Sequence, residues 1–159
     1  MATMEDFKVF LEKVAFEAGL EKLVPSEDGL LQLKAGDIEM GMQFIPSVNK
    51  IFLYTEVGYL PDNAPASLYR TLLCDQAAGY RTGGGSFAIV KSTSNLIYQL
   101  VYDIDPAEPA SFAQLLANVL DFTGEWQGKL EAMLNGEADA SSPEIPSDSQ
   151  FSELFTVRV

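Results

Sequence analysis

The stretch from residue 30 to residue 58 reads LLQLKAGDIEMGMQFIPSVNKIFLYTEVG. It contains three strand-like runs, which are Leu30–Lys34, Asp37–Ile45 and Val48–Gly58. Only two residues separate each run from the next, Ala35-Gly36 in one case and Pro46-Ser47 in the other. Connections this short favour hairpins, so the stretch predicts a three-stranded antiparallel meander.

The flanking sequence predicts three helices and two more strands. The first helix covers Met4–Ala18 and ends at Gly19, a residue typical of helix C-termini. After the meander we expect a helix over Ala66–Gly79, a flexible link at Thr82–Gly85, strands over Ser86–Ser92 and Asn95–Ile104, and a helix from Pro109 to about Leu134. The order α-βββ-α-ββ-α predicts an α+β fold, with three helices and a mostly antiparallel five-stranded sheet.

The composition divides the chain into three parts. Residues 1–134 form the predicted α+β domain. Residues 135–150 are rich in Gly, Ala, Ser, Pro and acidic side chains, which is typical of a solvated linker. Residues 151–159, FSELFTVRV, are apolar again, and this segment could dock on the domain or pair with another chain.

The charge of the chain excludes two classes of partner. Ten Lys and Arg stand against 23 Asp and Glu, which gives a net charge of −13. Such a field repels nucleic-acid phosphates and anionic lipid, so we expect neither nucleic acid nor a membrane as partner. The N-terminus lacks the apolar core of a signal peptide, and no apolar run is long enough to span a bilayer. The expected compartment is the cytoplasm.

The usual catalytic groups are missing. The chain has no histidine and one cysteine, Cys74, so Ser-His and Cys-His pairs, disulfides and most transition-metal sites are excluded. The glycines at 83–85 lack the Gly-Lys-Ser/Thr ending of a phosphate-binding loop. The sequence therefore predicts no catalytic residue, no metal and no cofactor, while catalysis by carboxylates alone stays open as an alternative.

The first helix has more apolar surface than packing on a sheet requires. At about 100° per residue, one stripe consists of Phe7, Phe10, Leu11, Val14 and Ala18. Val9, Phe16 and Leu20 fall on nearly the opposite side. A helix that covers one sheet needs a single stripe, so the second stripe is predicted to face solvent or another chain.

The strands and the second helix show the same surplus. Ile51, Leu53 and Val57 face one side of the third strand, while Phe52 and Tyr54 face the other. On the second helix, apolar side chains cover about half of the circumference; they are Leu68, Tyr69, Leu72, Leu73, Ala77 and Tyr80. Loops, neighbouring helices and the C-terminal segment could cover this surface, or a second subunit and a bound polypeptide could do so.

Four stretches carry a resemblance to a known family. They are FKVFL at 7–11 with Gly19-Leu20, EDGL at 27–30, LLCDQ at 72–76 and FTGEW at 122–126. With the order of elements and the acidic character, they make residues 4–134 similar to class I chaperones of type III secretion, the Tir-chaperone family.

The resemblance implies a function and two sets of site residues. The function is to bind the N-terminal region of a secreted effector and keep it soluble and export-competent, without a nucleotide. The implied client-binding residues are Val9, Phe16, Phe52 and Tyr54. The family also implies a homodimer, and the matching interface residues on the second helix are Leu68, Tyr69, Leu72 and Leu73. A client could also add a strand to an open sheet edge.

One alternative keeps this fold and changes the partner. In it the chain is a regulatory or adaptor module of the YbjN-like type, which binds a folded protein or a short peptide.

Overall fold

The computed structural model describes residues 1–105 and 107–136. The elements in chain order are α1 (Met4–Glu17), β1 (Leu30–Ala35), β2 (Ile38–Ile45), β3 (Lys50–Tyr59), α2 (Ala66–Asp75), β4 (Ser86–Val90), β5 (Asn95–Asp103) and α3 (Pro109–Leu134). Single 3-10 turns lie at Pro46–Val48 and Ala77–Gly79. The predicted α+β order is confirmed. The predicted linker beyond residue 136 and the C-terminal segment lie outside the described residues.

The five strands form one antiparallel sheet in the order β1-β2-β3-β5-β4. The predicted meander is confirmed, with Met42 of β2 opposite Leu53 of β3. The connection between β2 and β3 is longer than the expected two residues. Pro46 lacks an N–H and cannot extend the ladder, so the chain makes a 3-10 turn that Asn49 closes at φ 59°.

One face of the sheet carries the core. Ile51, Leu53 and Val57 of β3 are at most 3% exposed, as the alternation predicts. Helix α3 crosses this face and buries Trp126, whose ring lies 4.7 Å from that of Phe87. The registers place Phe52, Tyr54, Ile97 and Val101 on the opposite face.

Helix α1 is held by its cap and by aromatic packing. The Thr3 hydroxyl accepts a hydrogen bond from the Asp6 N–H, and the Asp6 carboxylate accepts one from the Thr3 N–H. The hydrogen bonds from Thr3 lower the pKa of Asp6, which favours the charged form of the cap. Phe7 stacks on Phe44 at 4.8 Å, so the predicted inner stripe reaches the core, although Ala15 rather than Ala18 is its last buried member.

Candidate protein-binding surfaces

The outer side of α1 exposes the second apolar stripe. Val9 is 43% exposed and Phe16 is 84% exposed, whereas Leu20, the third predicted member, is 48% exposed but lies beyond the end of the helix at Glu17. The helix periodicity dictates this arrangement, because the stripe that contains Phe7 and Leu11 already occupies the side that faces the sheet.

Phe16 borders a notch between α1 and the start of α3. The notch has a volume of about 360 Å³, and its charged walls are Glu12, Lys13, Glu17 and Glu108. An apolar side chain at the edge of a notch with a charged rim can hold an apolar group of a partner while the rim stays hydrated. This part of the surface therefore has the character of a surface that binds a polypeptide.

The face of the sheet opposite the core is also apolar in part. Phe52 and Tyr54 are half-buried there, with ring centroids 5.8 Å apart. Val101, directly opposite Phe52, is 55% exposed. Next to these rings a groove of about 560 Å³ crosses all five strands, and we call it the sheet groove; its lining includes Lys34, Gly41, Tyr54, Glu56, Val90 and Ile97.

The ring of Tyr54 lies directly on the backbone of β2. A Cβ atom added to Gly41 would stand 2.0 Å from Cζ of Tyr54 and 2.3 Å from its hydroxyl oxygen. Real Cβ contacts are essentially never that short, so the missing side chain of Gly41 is what allows the ring to lie on the sheet and line the groove. Gly41 is not among the site residues predicted from the sequence. An isolated glycine inside an alternating strand was the signal that could have identified it.

The four client-binding residues from the sequence analysis do not form one site. Val9 and Phe16 lie on the outer side of α1, which packs on the core face, whereas Phe52 and Tyr54 lie on the opposite face. A partner that touches both pairs must pass around the rim of the sheet, along an edge strand or across the strand ends. Strand β1 forms one such edge, since it pairs only with β2 among the described strands.

The four implied interface residues on helix α2 differ in burial and form two pairs. Leu68 is fully buried and Leu72 is 5% exposed, so both belong to the core of the subunit itself and a partner subunit could not contact them directly. Tyr69 is half-buried and Leu73 is 64% exposed. Only the second pair, with the nearby Tyr80 at 80% exposure, offers surface for an interface.

The end of α2 differs from the sequence prediction. The helix stops at Asp75 and does not continue to Gly79, because Ala78 turns the chain at φ 55°. The oxygen of the Gln76 side chain then accepts a hydrogen bond of 2.8 Å from the Phe87 N–H, which ties this corner to the β4 edge.

The glycine-rich link before β4 is held in place, contrary to the expectation of a flexible link. Thr82 is buried and its hydroxyl donates to the carbonyl oxygen of Gly85 at 2.6 Å. The Tyr98 hydroxyl donates to the Thr82 carbonyl oxygen at 2.5 Å. Burial raises the pKa of Tyr98, so its hydroxyl keeps the proton that it donates.

Residues 1–105 and 107–136 contain neither a metal-binding cluster nor a membrane-spanning helix. No three cysteine or carboxylate side chains of that part come together in a way that could hold a metal ion. None of its helices is both long and apolar enough to cross a membrane.

Comparison with known proteins points to one family. The model of the Tir chaperone protein (CesT) family matches residues 9–127. No curated protein matches the sequence at a significant level.

Solved structures share the fold. A chain of the ExsC–ExsE complex has a TM-score of 0.70 at 20% identity, and the match covers 82% of this chain and 97% of that one. A chain of the HopA1–SchA chaperone–effector complex has a TM-score of 0.67 at 11% identity and coverages of 80% and 99%. A chain of the Yersinia pestis complex between the type III secretion chaperone SycH and a fragment of YscM2 has a TM-score of 0.62 at 18% identity, with coverages of 76% and 98%.

Proposed function

The chain belongs to the Tir chaperone protein (CesT) family, and we propose on this premise that it is a type III secretion chaperone. Its client is the N-terminal region of a secreted effector, which it keeps soluble and export-competent in the bacterial cytoplasm. It acts by binding alone and catalyses no reaction.

The observation that carries this proposal is the exposure of Phe16 and its neighbours on α1. Full burial of a Phe side chain contributes about 1.5–3 kcal/mol. Because Phe16 is 84% exposed in the folded chain, most of that free energy is available for binding a partner. Val9 is exposed on the same side of the helix, and Leu20 is exposed three residues beyond the helix end. Burying about 400 Å² of such surface would contribute roughly 10 kcal/mol before the costs of association.

The acidic character supports the same function. A net charge of −13 makes the free chains repel one another, and this opposes aggregation through the exposed apolar stripe. The protein can therefore expose a surface for an unfolded client and remain dispersed.

The client would contact both candidate surfaces by passing around the β1 edge in extended form. Strand β1 offers unpaired backbone groups there, and an added strand of the client would satisfy them. The contacts of Phe16 on one face and of Phe52 and Tyr54 on the other then belong to one continuous path.

We also propose that two copies of the chain associate through the exposed side of α2. Leu73→Asp should convert the dimer to a monomer, because it places a charge at the most exposed large aliphatic residue of that helix. Analytical ultracentrifugation at micromolar concentration measures the mass of both proteins. Leu72→Asp serves as the comparison: it should lower stability rather than shift the association, since Leu72 is buried within the subunit.

A dimer of unchanged mass in the well-folded Leu73→Asp protein would refute the α2 interface. It would leave the chaperone function untouched, because the client surfaces lie on α1 and on the sheet.

Purification of the tagged chain from its own cells tests the function. The proposal expects one secreted protein to co-purify, and limited proteolysis should leave its N-terminal region protected and bound. If the bound protein is folded throughout and is held elsewhere than at its N-terminus, the adaptor function replaces the chaperone function.

A further inference from the structure

The sheet groove has a shape and a charge that specify what it binds. Resting on the proposed function, we propose that it holds an extended stretch of the client. In that stretch an apolar side chain lies against Tyr54 and Ile97, and a Lys or Arg two residues away pairs with Glu56.

The dimensions fit an extended chain. The groove crosses five strands, from Lys34 of β1 to Val90 at the end of β4. At about 4.8 Å between neighbouring strands this path is about 19 Å long, which about six extended residues span. Alternate side chains of such a segment point down into the groove, so residues two apart face the sheet together.

The floor supplies one apolar subsite. Ile97 lies opposite Glu56 in the register of β3 and β5, and Tyr54 is the next residue of β3 on the same face. Both apolar side chains are half-buried, so their upper surfaces are available to a bound side chain. Because opposed positions on neighbouring strands are about 5 Å apart, a basic residue next to the apolar anchor can reach Glu56.

The charge of the groove selects a basic residue. Lys34 and Glu39 lie 3.9 Å apart and balance one another. Glu56 is exposed and belongs to none of the ion pairs found between described residues, so it leaves one uncompensated negative charge. A client segment with Lys or Arg neutralises this charge, whereas an acidic residue is repelled by it.

Gly41 fixes the shape of the apolar subsite. Since any Cβ at position 41 would overlap the Tyr54 ring, a side chain there forces the ring off the sheet and into the groove. Gly41 is thus a positioning residue that acts through Tyr54.

Two synthetic peptides of about ten residues test the proposal. Both alternate Val and Ser; one has Arg in place of the inward-facing Val that lies two residues from the central Val, and the other has Glu at that same position. Fluorescence anisotropy at low salt gives the Kd of each for the full chain. The Arg peptide should bind about fivefold tighter than the Glu peptide, as expected for one exposed ion pair against a repulsive one.

Variants of the chain identify the residue that causes the preference for the Arg peptide. Glu56→Gln should abolish the difference between the peptides. Glu125→Gln should keep it, because it removes an equal charge from an exposed position of α3, the helix on the core face. Gly41→Val should weaken the binding of both peptides about tenfold. Tyr54→Ser should weaken binding by the same factor; because it introduces no steric overlap, it tests the subsite even if Gly41→Val fails to fold.

Three results would overturn the proposal. They are equal or undetectable binding of the two peptides, loss of the preference in Glu125→Gln as well as in Glu56→Gln, and native affinities in Tyr54→Ser. A Tyr54→Ser protein that becomes monomeric while its peptide binding is unchanged would assign the groove to a second copy of the chain. An effector that still co-purifies in any of these cases leaves the proposed function standing and refutes the groove alone.

Discussion

Phe16→Asp is expected to fold as stably as the native chain and to bind its effector at least about thirtyfold more weakly. The side chain is 84% exposed, so the folded subunit loses almost no buried surface. Apolar anchors at the centre of an interface contribute about 2 kcal/mol or more, and 1.4 kcal/mol is a factor of ten in affinity. The introduced carboxylate also stands at the notch lined by Glu12, Lys13 and Glu17, and it must be desolvated when the client binds.

Asn118→Asp is the matched control for this change. It adds the same single negative charge to an exposed helical position and keeps the shape of the side chain. Urea unfolding of both variants reports stability, and titration of the purified effector reports affinity. Loss of folding in Phe16→Asp would place Phe16 in the core, and native affinity in that variant would remove α1 from the client path.

Gly85→Ala should destabilise the protein by about 2–3 kcal/mol. A Cβ at position 85 would stand 2.3 Å from the hydroxyl oxygen of Tyr98 and 2.4 Å from Cζ. Tyr98 is 3% exposed, is hydrogen-bonded to the Thr82 carbonyl and lies 4.7 Å from the ring of Phe122. The ring cannot move away without breaking that hydrogen bond and leaving a cavity, so the overlap must be relieved by the backbone.

Gly41→Ala provides the comparison for this second prediction. The Cβ added at position 41 approaches the Tyr54 ring just as closely, but Tyr54 is half-buried and can rotate toward solvent. We therefore expect a loss of about 1 kcal/mol or less, which Tyr54→Ser should remove in the double variant. Urea unfolding of Gly41→Ala, Tyr54→Ser, the double variant and Gly85→Ala measures the loss of unfolding free energy in each. If Gly41→Ala costs as much as Gly85→Ala, burial of the facing tyrosine does not decide the effect.

The periodic features of the fold could be predicted from the sequence. The alternation in β3 separates Leu53 from Phe52 by itself, and the period of α1 separates Leu11 from Phe16, because each pattern depends only on neighbouring residues. The exposed stripe of α1 and the apolar patch on the open sheet face follow directly from these patterns.

Features that depend on the register or on a distant contact could not be predicted in the same way. The close approach of Tyr54 to Gly41 exists only because β2 and β3 pair in one particular register. The broad apolar side of α2 indicated a surplus but could not show that Leu72 is buried while Leu73 is exposed. Which part of such a wide stripe faces inward is decided by tertiary packing, which helix periodicity does not contain.

Site-specific photo-crosslinking in the native cells tests the central claim most directly, namely that an effector's N-terminal region covers the exposed apolar side chains. A photo-reactive phenylalanine analogue would replace Phe16 on α1 or Val101 on the open sheet face, with the exposed Gln114 of α3 as the control position. The account predicts crosslinks from positions 16 and 101 to the N-terminal region of one and the same secreted protein, and few from position 114. Crosslinks from positions 16 and 101 that are no more frequent than those from position 114, or that map outside the N-terminal region, would contradict it.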